Sequence, residues 1–437
     1  MGDRLPAQPS ADGKRASWRS ALRGNVLMMG LVSLFTDFSS EMMNPMLPIF
    51  IAGIVPLGWA AVYLGLMEGL AETTASLFKV FSGRFSDVWG KRKALVVVGY
   101  GLSAIFRPMM ALATHGWQVV AMKFADRVGK GIRTSPCDAL ISESAHPSVR
   151  GLAFSFHRAM DNAGAILGPI AAIAILFPLL GGRLFEHIGW WGAKGQAARP
   201  AAETIWALRL LFAVALVPGI AAMAVLFGKV REIAPSGGGQ AGAGGGVWRT
   251  LPGRFYAFVG IVVLFALGNS SDLFIVFYGM ERFGLSVASL VGLWILLHIS
   301  KIVFSLPGGV LSDRLGRRPL IVTGWLVYAL VYLGLASVGQ VEHFWALVAA
   351  YGLFYGLTEG VEKALVADFV PAEKRGTAYG IYHGAVGVAA LPASLMFGVF
   401  WKVIGASIAF GIGAALAGVA ALLLIVLLSA SPGTRES

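Results

Sequence analysis

The sequence predicts an all-α membrane protein: twelve transmembrane helices in two six-helix halves. Three observations carry this expectation: an apolar composition poor in charge, twelve runs long enough to cross a bilayer, and a block of residues that recurs half a chain later. Of 437 residues, 57% are hydrophobic and 13% charged, against roughly 25% charged in soluble domains, and the mean hydropathy is +0.73. Length alone would suggest about three soluble domains; the composition excludes that. A net charge of +12 would suit nucleic acid or acidic lipid. The basic residues, however, are scattered between apolar runs and form no dense block, so no nucleic-acid partner is expected. The single cysteine, Cys137, excludes an internal disulfide framework and a cysteine-built zinc site.

A helical span needs about 20 mostly apolar residues to cross roughly 30 Å of hydrocarbon. On that measure spans 1 to 6 fall near 25–52, 60–82, 94–113, 117–142, 152–182 and 205–228. Spans 7 to 12 fall near 255–278, 286–308, 320–338, 344–370, 377–399 and 406–429. Residues 1–24 and 430–437 are then tails. Segment 229–254, which contains a glycine-rich run from Gly237 to Gly246, reads as a linker between bundles 25–228 and 255–429. The basic leader and first apolar run resemble a secretory signal. That run is too long for one, carries Asp37 and Glu41 and lacks a small-residue cleavage pattern, so it reads as an uncleaved first span.

Orientation follows from the connections, because Lys and Arg accumulate on the cytoplasmic side. With the N-terminus inside, twenty Lys and Arg fall in inner segments and five in outer ones. Both termini are therefore expected in the cytoplasm, in the plasma membrane. Ten further basic residues remain inside the spans.

The halves repeat one another. Gly83-Arg84-Phe85-Ser86-Asp87-Val88-Trp89-Gly90-Lys91-Arg92 recurs as Gly309-Val310-Leu311-Ser312-Asp313-Arg314-Leu315-Gly316-Arg317-Arg318, at an offset of 226. At an offset of 225, the segment Asp138 to Glu143 matches Lys363 to Asp368, and Arg150 to Phe154 matches Arg375 to Tyr379. Ser39-Ser40-Glu41 echoes Ser270-Ser271-Asp272. An even number of spans per half makes the repeat parallel, the duplication expected of a transporter that rocks about a central site.

On these residues the chain resembles the major facilitator superfamily over nearly its whole length. That family's signature, G-x-x-x-D-x-x-G-[RK]-[RK], stands in both expected places, after spans 2 and 8. The resemblance implies a conformational latch at the cytoplasmic face, carried by Gly83, Arg84, Asp87, Gly90 and Arg92 and, in the second half, by Gly309, Asp313, Gly316 and Arg317. Glycines permit the tight turn, and an Asp favours the positive end of a neighbouring helix. The plainer account, that the basic residues here only set topology, is preferred for Lys93. Arg127 and Gly131 in span 4 resemble the R-x-x-x-G pattern of the family's proton-coupled drug exporters. Gly164-Ala165-Ile166-Leu167-Gly168-Pro169 in span 5 resembles their antiporter motif, although Ala172 and Ile173 replace its following glycine pair. Close helix packing through small residues accounts for Gly164 and Gly168 equally well.

Ionisable residues at span depth cost at least about 2.5–3.5 kcal/mol each on insertion scales, so they face partners or a wet cavity. At 100° per residue, Lys123, Asp126, Arg127, Lys130 and Arg133 fall within about 120° of span 4. Asp37 and Glu41 in span 1, and Glu68 and Glu72 in span 2, are i, i+4 pairs that share a helix face. Two such acids in low dielectric cannot both ionise cheaply. These four acids are expected to supply the proton-binding group, with Arg127 as the switchable counter-ion. The first-half spans hold eight cations and seven acids, so structural ion pairing is an equal account of any one of them. The substrate cavity is expected to involve Lys130, Arg133, His157, Arg158 and Asp161 from the first half. The second half would add Asn269, Asp272, Tyr355, Glu359, Tyr379, Tyr382 and His383.

Fourteen methionines raise the possibility of soft-metal transport, but methionine is also a common filler of apolar gaps. No zinc helix, phosphate loop or nucleophile elbow is present in the sequence, so neither an enzyme nor a cofactor is expected. The expectation is a monomeric secondary transporter that effluxes a small organic compound in exchange for protons by alternating access. The alternative is import of an anionic metabolite or a metal chelate.

Overall fold

The computed structural model describes residues 24–56, 58–89, 91–144, 150–186, 200–232, 251–370 and 375–429. A bilayer offers no water to unpaired backbone groups, so a spanning segment must satisfy them within itself. The apolar runs accordingly form twelve helical rods, with no strand among the described residues. Span 1 is Asn25–Met43 continued by Leu47–Ile54, span 2 is Ala60–Trp89, span 3 Arg92–Met109, span 4 Gly116–Ser144 and span 5 Arg150–Leu180. Span 6 is Ala202–Val214 with Leu216–Lys229, and span 7 is Gly253–Gly268 with Leu273–Phe283. Spans 8 to 12 are Val287–Leu315, Arg317–Ser337, Val341–Phe369, Arg375–Ile404 and Ala406–Ser429.

Nine of the rods are long and apolar enough to cross a membrane by those criteria alone. The three that fall short are spans 2, 4 and 10, which carry Glu68 and Glu72, the charged stripe of span 4, and Glu359 with Glu362. Their cost in lipid is lowered only by turning those groups inward.

Two departures from the expected boundaries have local causes. Span 2 continues to Trp89 and span 8 to Leu315, so most of each signature block is the end of a helix rather than a loop. Nothing before Gly90 or Gly316 forces a break. Gly316 then turns the chain at φ +88°, a conformation that side chains disfavour. Secondly, the first span of each half is interrupted. Pro45 sits in the short turn Asn44–Met46, and Asn269 to Asp272 separate the two helices of span 7. The expected linker, 229–254, begins after span 6 ends at Lys229 and ends where span 7 opens at Gly253. Residues 233–250 lie outside those described.

Helix association in lipid relies on close packing rather than on the hydrophobic effect. Span 5 crosses span 1 so tightly that a Cβ on Gly168 would lie 2.7 Å from the Phe38 carbonyl oxygen and 2.8 Å from the Met42 amide nitrogen. Gly164 approaches the Leu34 carbonyl in the same way. In the second half, aromatic stacking fills the interior. Phe265 lies on Trp325 at 4.6 Å and Tyr328 on Tyr332 at 4.1 Å between centroids.

The halves meet along spans 2 and 11. Gly398 abuts Ala61, Gly65 abuts Ser394, Gly69 abuts Leu391 and Gly387 abuts Ser76, while the Thr73 hydroxyl donates to the Gly387 carbonyl at 2.6 Å. Gly384 and Gly380 continue the same face of span 11 one and two turns further along, and neither has a neighbour within 4 Å among the described residues. The helices therefore part toward the end expected to face the cytoplasm. At the opposite end, Leu47–Ile54 packs against Leu273–Phe283, and residues of both halves share one core. A separate inner core, with Met29, Tyr100, Leu140, Ala153 and Leu226, belongs to the first half alone. Among the described residues, the arrangement is closed where Leu47–Ile54 meets Leu273–Phe283 and opens toward the end expected to face the cytoplasm.

The span 1 and span 5 crossing yields a graded prediction. Gly168→Ala is expected to lower thermal stability by about 1–3 kcal/mol through overpacking, whereas Gly228→Ala, where nothing lies within 4 Å, leaves it unchanged. Melting curves of the detergent-purified variants check this; equal shifts would contradict the crossing.

Candidate functional site

A cavity of about 470 Å³ lies between the halves, walled by spans 1 to 4 on one side and by spans 7, 8, 10 and 11 on the other. Its first-half wall is built by span 4. The stripe expected at 100° per residue is present, and each cation on it meets a different neighbour. Lys123 donates to the Asn44 Oδ1 at 2.9 Å and lies 3.7 Å from Glu68. Arg127 stands 3.8 Å from Glu72. Arg133 donates to the Ser103 hydroxyl at 2.5 Å and lies over the Tyr100 ring at 4.4 Å. Asp126, on the same stripe, accepts from Arg107 Nε at 2.9 Å, and Arg107 also donates to the Thr36 carbonyl at 2.7 Å. Asp37 and Lys130 line the cavity too. Among the described residues, the Asp37 carboxylate and the Lys130 ammonium make neither a hydrogen bond nor a close ion pair.

These contacts differ in rigidity. Arg107 and Asp126 are 5% and 3% exposed, and breaking a pair so buried leaves a charge uncompensated. The Glu72 side chain is 52% exposed, so its contact with Arg127 is long, wet and readily exchanged. Gly131, one turn beyond Arg127, lets span 4 approach the Ala75 carbonyl of span 2, and Ser82 donates to the Gly131 carbonyl at 2.8 Å. The R-x-x-x-G pattern thus places both of its residues on the face that meets span 2.

The second-half wall centres on Asp272, beside the interruption of span 7. Lys301 of span 8 donates to it at 2.5 Å, and the Tyr351 and Tyr355 hydroxyls donate to it at 3.1 Å. Besides the Thr73 bond to Gly387, two hydrogen bonds cross between the halves at the cavity. Trp294 Nε1 donates to Glu41 at 2.9 Å, and the Ser271 hydroxyl donates to Glu68 at 3.2 Å. Glu41 also accepts from Asn44 at 2.8 Å. In both cases an acid of the first half accepts from a neutral donor of the second.

The expected site residues therefore divide. Asp37, Glu41, Glu68, Glu72, Arg127, Lys130, Arg133, Asn269, Asp272 and Tyr355 line the cavity. His157, Arg158 and Asp161 do not: Asp161 accepts from Ser33 and pairs with His157 at 3.7 Å behind span 1, and Arg158 is exposed. Span 5 turns its glycines, not these groups, toward the neighbouring span. Tyr382 donates to the buried Glu362 at 2.7 Å and Tyr379 stacks with His383, all outside the lining. The Glu359 side chain, the latch side chains Arg84, Asp87 and Asp313, and the glycines Gly83, Gly90 and Gly309 lie outside the described residues. At the latch, Arg92 pairs with Glu143 and Arg317 with Asp368. The second pair stands 225 residues after the first, so Arg317 rather than Arg318 is the spatial counterpart of Arg92. Sequence reasoning did not place Asn44, Ser271, Trp294, Lys301 and Tyr351 at the site; the Asn44-Pro45 dipeptide, a helix breaker beside Glu41, was the available signal for Asn44.

The difference in burial predicts a difference in cost. Asp126→Asn is expected to destabilise by about 3–5 kcal/mol, leaving Arg107 unpaired, and Glu72→Gln by less than about 1 kcal/mol. Thermal melts of the two variants read this directly, and a reversed order would overturn the assignment of structural and exchangeable pairs.

Comparison with known proteins agrees with this architecture. The Major Facilitator Superfamily profile matches residues 29–300 and 296–437. The chain is 33% identical over 409 residues to the uncharacterised MFS-type transporter MJ1317 of Methanocaldococcus jannaschii, covering 92% of this chain and 95% of that protein. It is 30% identical over 137 residues to the multidrug resistance protein MdtH of Photorhabdus laumondii, covering 31% of this chain and 33% of that one. Among solved structures, a bacterial homologue of the human lysosomal transporter Spinster, in an inward-facing and occupied conformation, superposes with a TM-score of 0.71 at 15% identity, covering 96% and 99% of the two chains. Twelve rods in two repeated halves around a charged central cavity, matched by the family profile over nearly the whole chain, make this protein a member of the Major Facilitator Superfamily of membrane transporters.

Proposed function

We propose that the protein is a monomeric, proton-coupled efflux carrier for a small organic compound, working by alternating access in the plasma membrane with both termini in the cytoplasm. The observation that carries this reading is the exchangeable Arg127 and Glu72 pair, 3.8 Å apart, in a cavity that also holds Asp37 and Glu41 one helical turn apart. A proton on one of these acids removes a charge that a cation was balancing, and Arg127 or Lys130 can then turn to another partner. Charge-assisted hydrogen bonds are roughly twice as strong as neutral ones. Glu41 and Glu68, when ionised, therefore favour the cross-half bonds from Trp294 and Ser271 that accompany outer closure. A proton, or a cationic group of a solute entering from the inner side, weakens both. Local similarity to MdtH supports the outward direction. Import of an anionic metabolite or metal chelate is the second reading, favoured by the uncommitted ammonium of Lys130.

The test uses proteoliposomes loaded with a pH-sensitive dye and challenged in turn with organic cations, organic anions and metal chelates under an imposed pH gradient. With the solute that gives flux, at least one of Asp37→Asn, Glu41→Gln, Glu68→Gln and Glu72→Gln is expected to uncouple: downhill exchange continues but the gradient no longer drives it. Four variants with fully gradient-driven transport would refute proton coupling at these acids.

A further inference from the structure

We infer that the cavity selects a small zwitterion, its anionic group bound by Arg127 and Lys130 of span 4 and its cationic group by Glu68 and Asn269 at the seam between the halves. This deepens the transport reading above and rests on it. The inference starts from three buried polar atoms that lack a hydrogen-bond partner among the described residues: Glu68 Oε1, Arg127 Nε and Asn269 Oδ1. All three residues line the same cavity, and Glu68 is only 8% exposed. Buried polar groups without partners are rare and costly. Two of these are acceptors and one is a donor, so a solute that satisfies the set brings donors at one end and an acceptor at the other.

Their positions separate the two functions. Arg127 and Lys130 are one turn apart on the same face of span 4, and among the described residues Lys130 has only longer-range Coulombic neighbours, Arg127, Glu72, Asp37 and Lys79. Together they offer an N–H donor and a free ammonium to a carboxylate or phosphate. Glu68 is tied by Ser271 to the interruption of span 7, the segment that also carries Asn269 and Asp272. Its unused oxygen and the amide oxygen of Asn269 form an acceptor pole for an ammonium. Lys123, 3.7 Å from Glu68, is already engaged by Asn44, so it leaves that oxygen without a true hydrogen bond.

The charge balance points the same way. The lining holds six carboxylates and five cations, and Lys301 balances Asp272 from just behind. In the state with every lining acid ionised, a solute with one net charge adds an uncompensated ion to a low-dielectric space; a zwitterion adds none. At about 470 Å³ the cavity lies within the range of about 300–1,000 Å³ typical of small-molecule sites.

The experiment is a thermal-shift titration of the detergent-purified full chain with two matched trios. The first is L-leucine, its cationic relative L-leucinamide and its anionic relative 2-hydroxyisocaproate; the second is the phosphodiester glycerophosphoethanolamine, with ethanolamine and dimethyl phosphate as its singly charged relatives. The trios distinguish a carboxylate from a phosphate as the anionic group. In at least one trio the zwitterion is expected to raise the melting temperature with an apparent affinity tenfold or more above either relative. Lys130→Met removes that advantage and Lys130→Arg retains it, which separates binding from misfolding. A singly charged relative that stabilises as well as its zwitterion, or no shift with any of the six, overturns the inference. Gradient-driven flux of a singly charged solute would remove the zwitterion while leaving transport intact. A zwitterion that binds but never crosses would instead remove the transport reading.

Discussion

The structure depends on one constraint: span 4 carries five ionisable residues into a low-dielectric interior, where Lys123, Asp126, Arg127 and Arg133 are met by neighbouring side chains and Lys130 faces the cavity. In a medium that screens charge poorly, unpaired ions cost far more than their partners recover at long range, so neighbouring spans are placed by what they bring to this helix. Span 3 brings Arg107 to Asp126 and Ser103 with Tyr100 to Arg133. Span 2 brings Glu68 and Glu72. Span 1, broken at Asn44, brings the amide that holds Lys123. The second half needs no equivalent stripe, and its interior is instead filled by stacked aromatic rings, with Asp272 facing the cavity and Glu362 buried behind it.

That division of labour shapes how the molecule can move. Glycine crossings, such as Gly168 on span 1 and Gly356 against the Phe304 backbone, bind spans into two firm bundles. Side-chain hydrogen bonds between the bundles are fewer and include those that end on Glu41 and Glu68, the same acids that line the cavity. The same two carboxylates therefore both line the cavity and accept hydrogen bonds from the opposite bundle. A bistable interface of this kind converts a small change in charge into a rigid-body rearrangement.

Much of this was legible in the sequence. Span number, the two halves and the arc of charge on span 4 follow from apolar length and from a 100° step, which are properties of one helix at a time. The repeat was visible as well, and the Arg92–Glu143 and Arg317–Asp368 pairs show what it encodes. Residues whose role depends on a second helix were harder to see. Trp294 looks like an ordinary aromatic of an apolar span until span 8 meets Glu41, and Ser271 gains meaning only where span 7 is interrupted beside Glu68. His157 and Asp161 illustrate the converse: their charges suggested a cavity, but the glycine face of span 5 turned toward span 1 and left them behind it. Periodicity assigns a residue to a face; which neighbour that face meets is decided by packing between helices.

In the proposed mechanism, exchange of carboxylate and cation partners in the cavity is the step that joins protonation to the opening of the two sides. Its most direct test is a distance measurement between spin labels at Phe81→Cys on span 2 and Gly380→Cys on span 11, where the two helices part, in a background lacking Cys137, the only cysteine. The distance distribution recorded across a pH titration is predicted to shift between a longer, inner-open and a shorter, inner-closed population. In the chain carrying amides at Asp37, Glu41, Glu68 and Glu72 together, that shift is predicted to vanish. A distribution that ignores pH in the unmodified cavity, or one that shifts equally with all four acids replaced, would contradict the account.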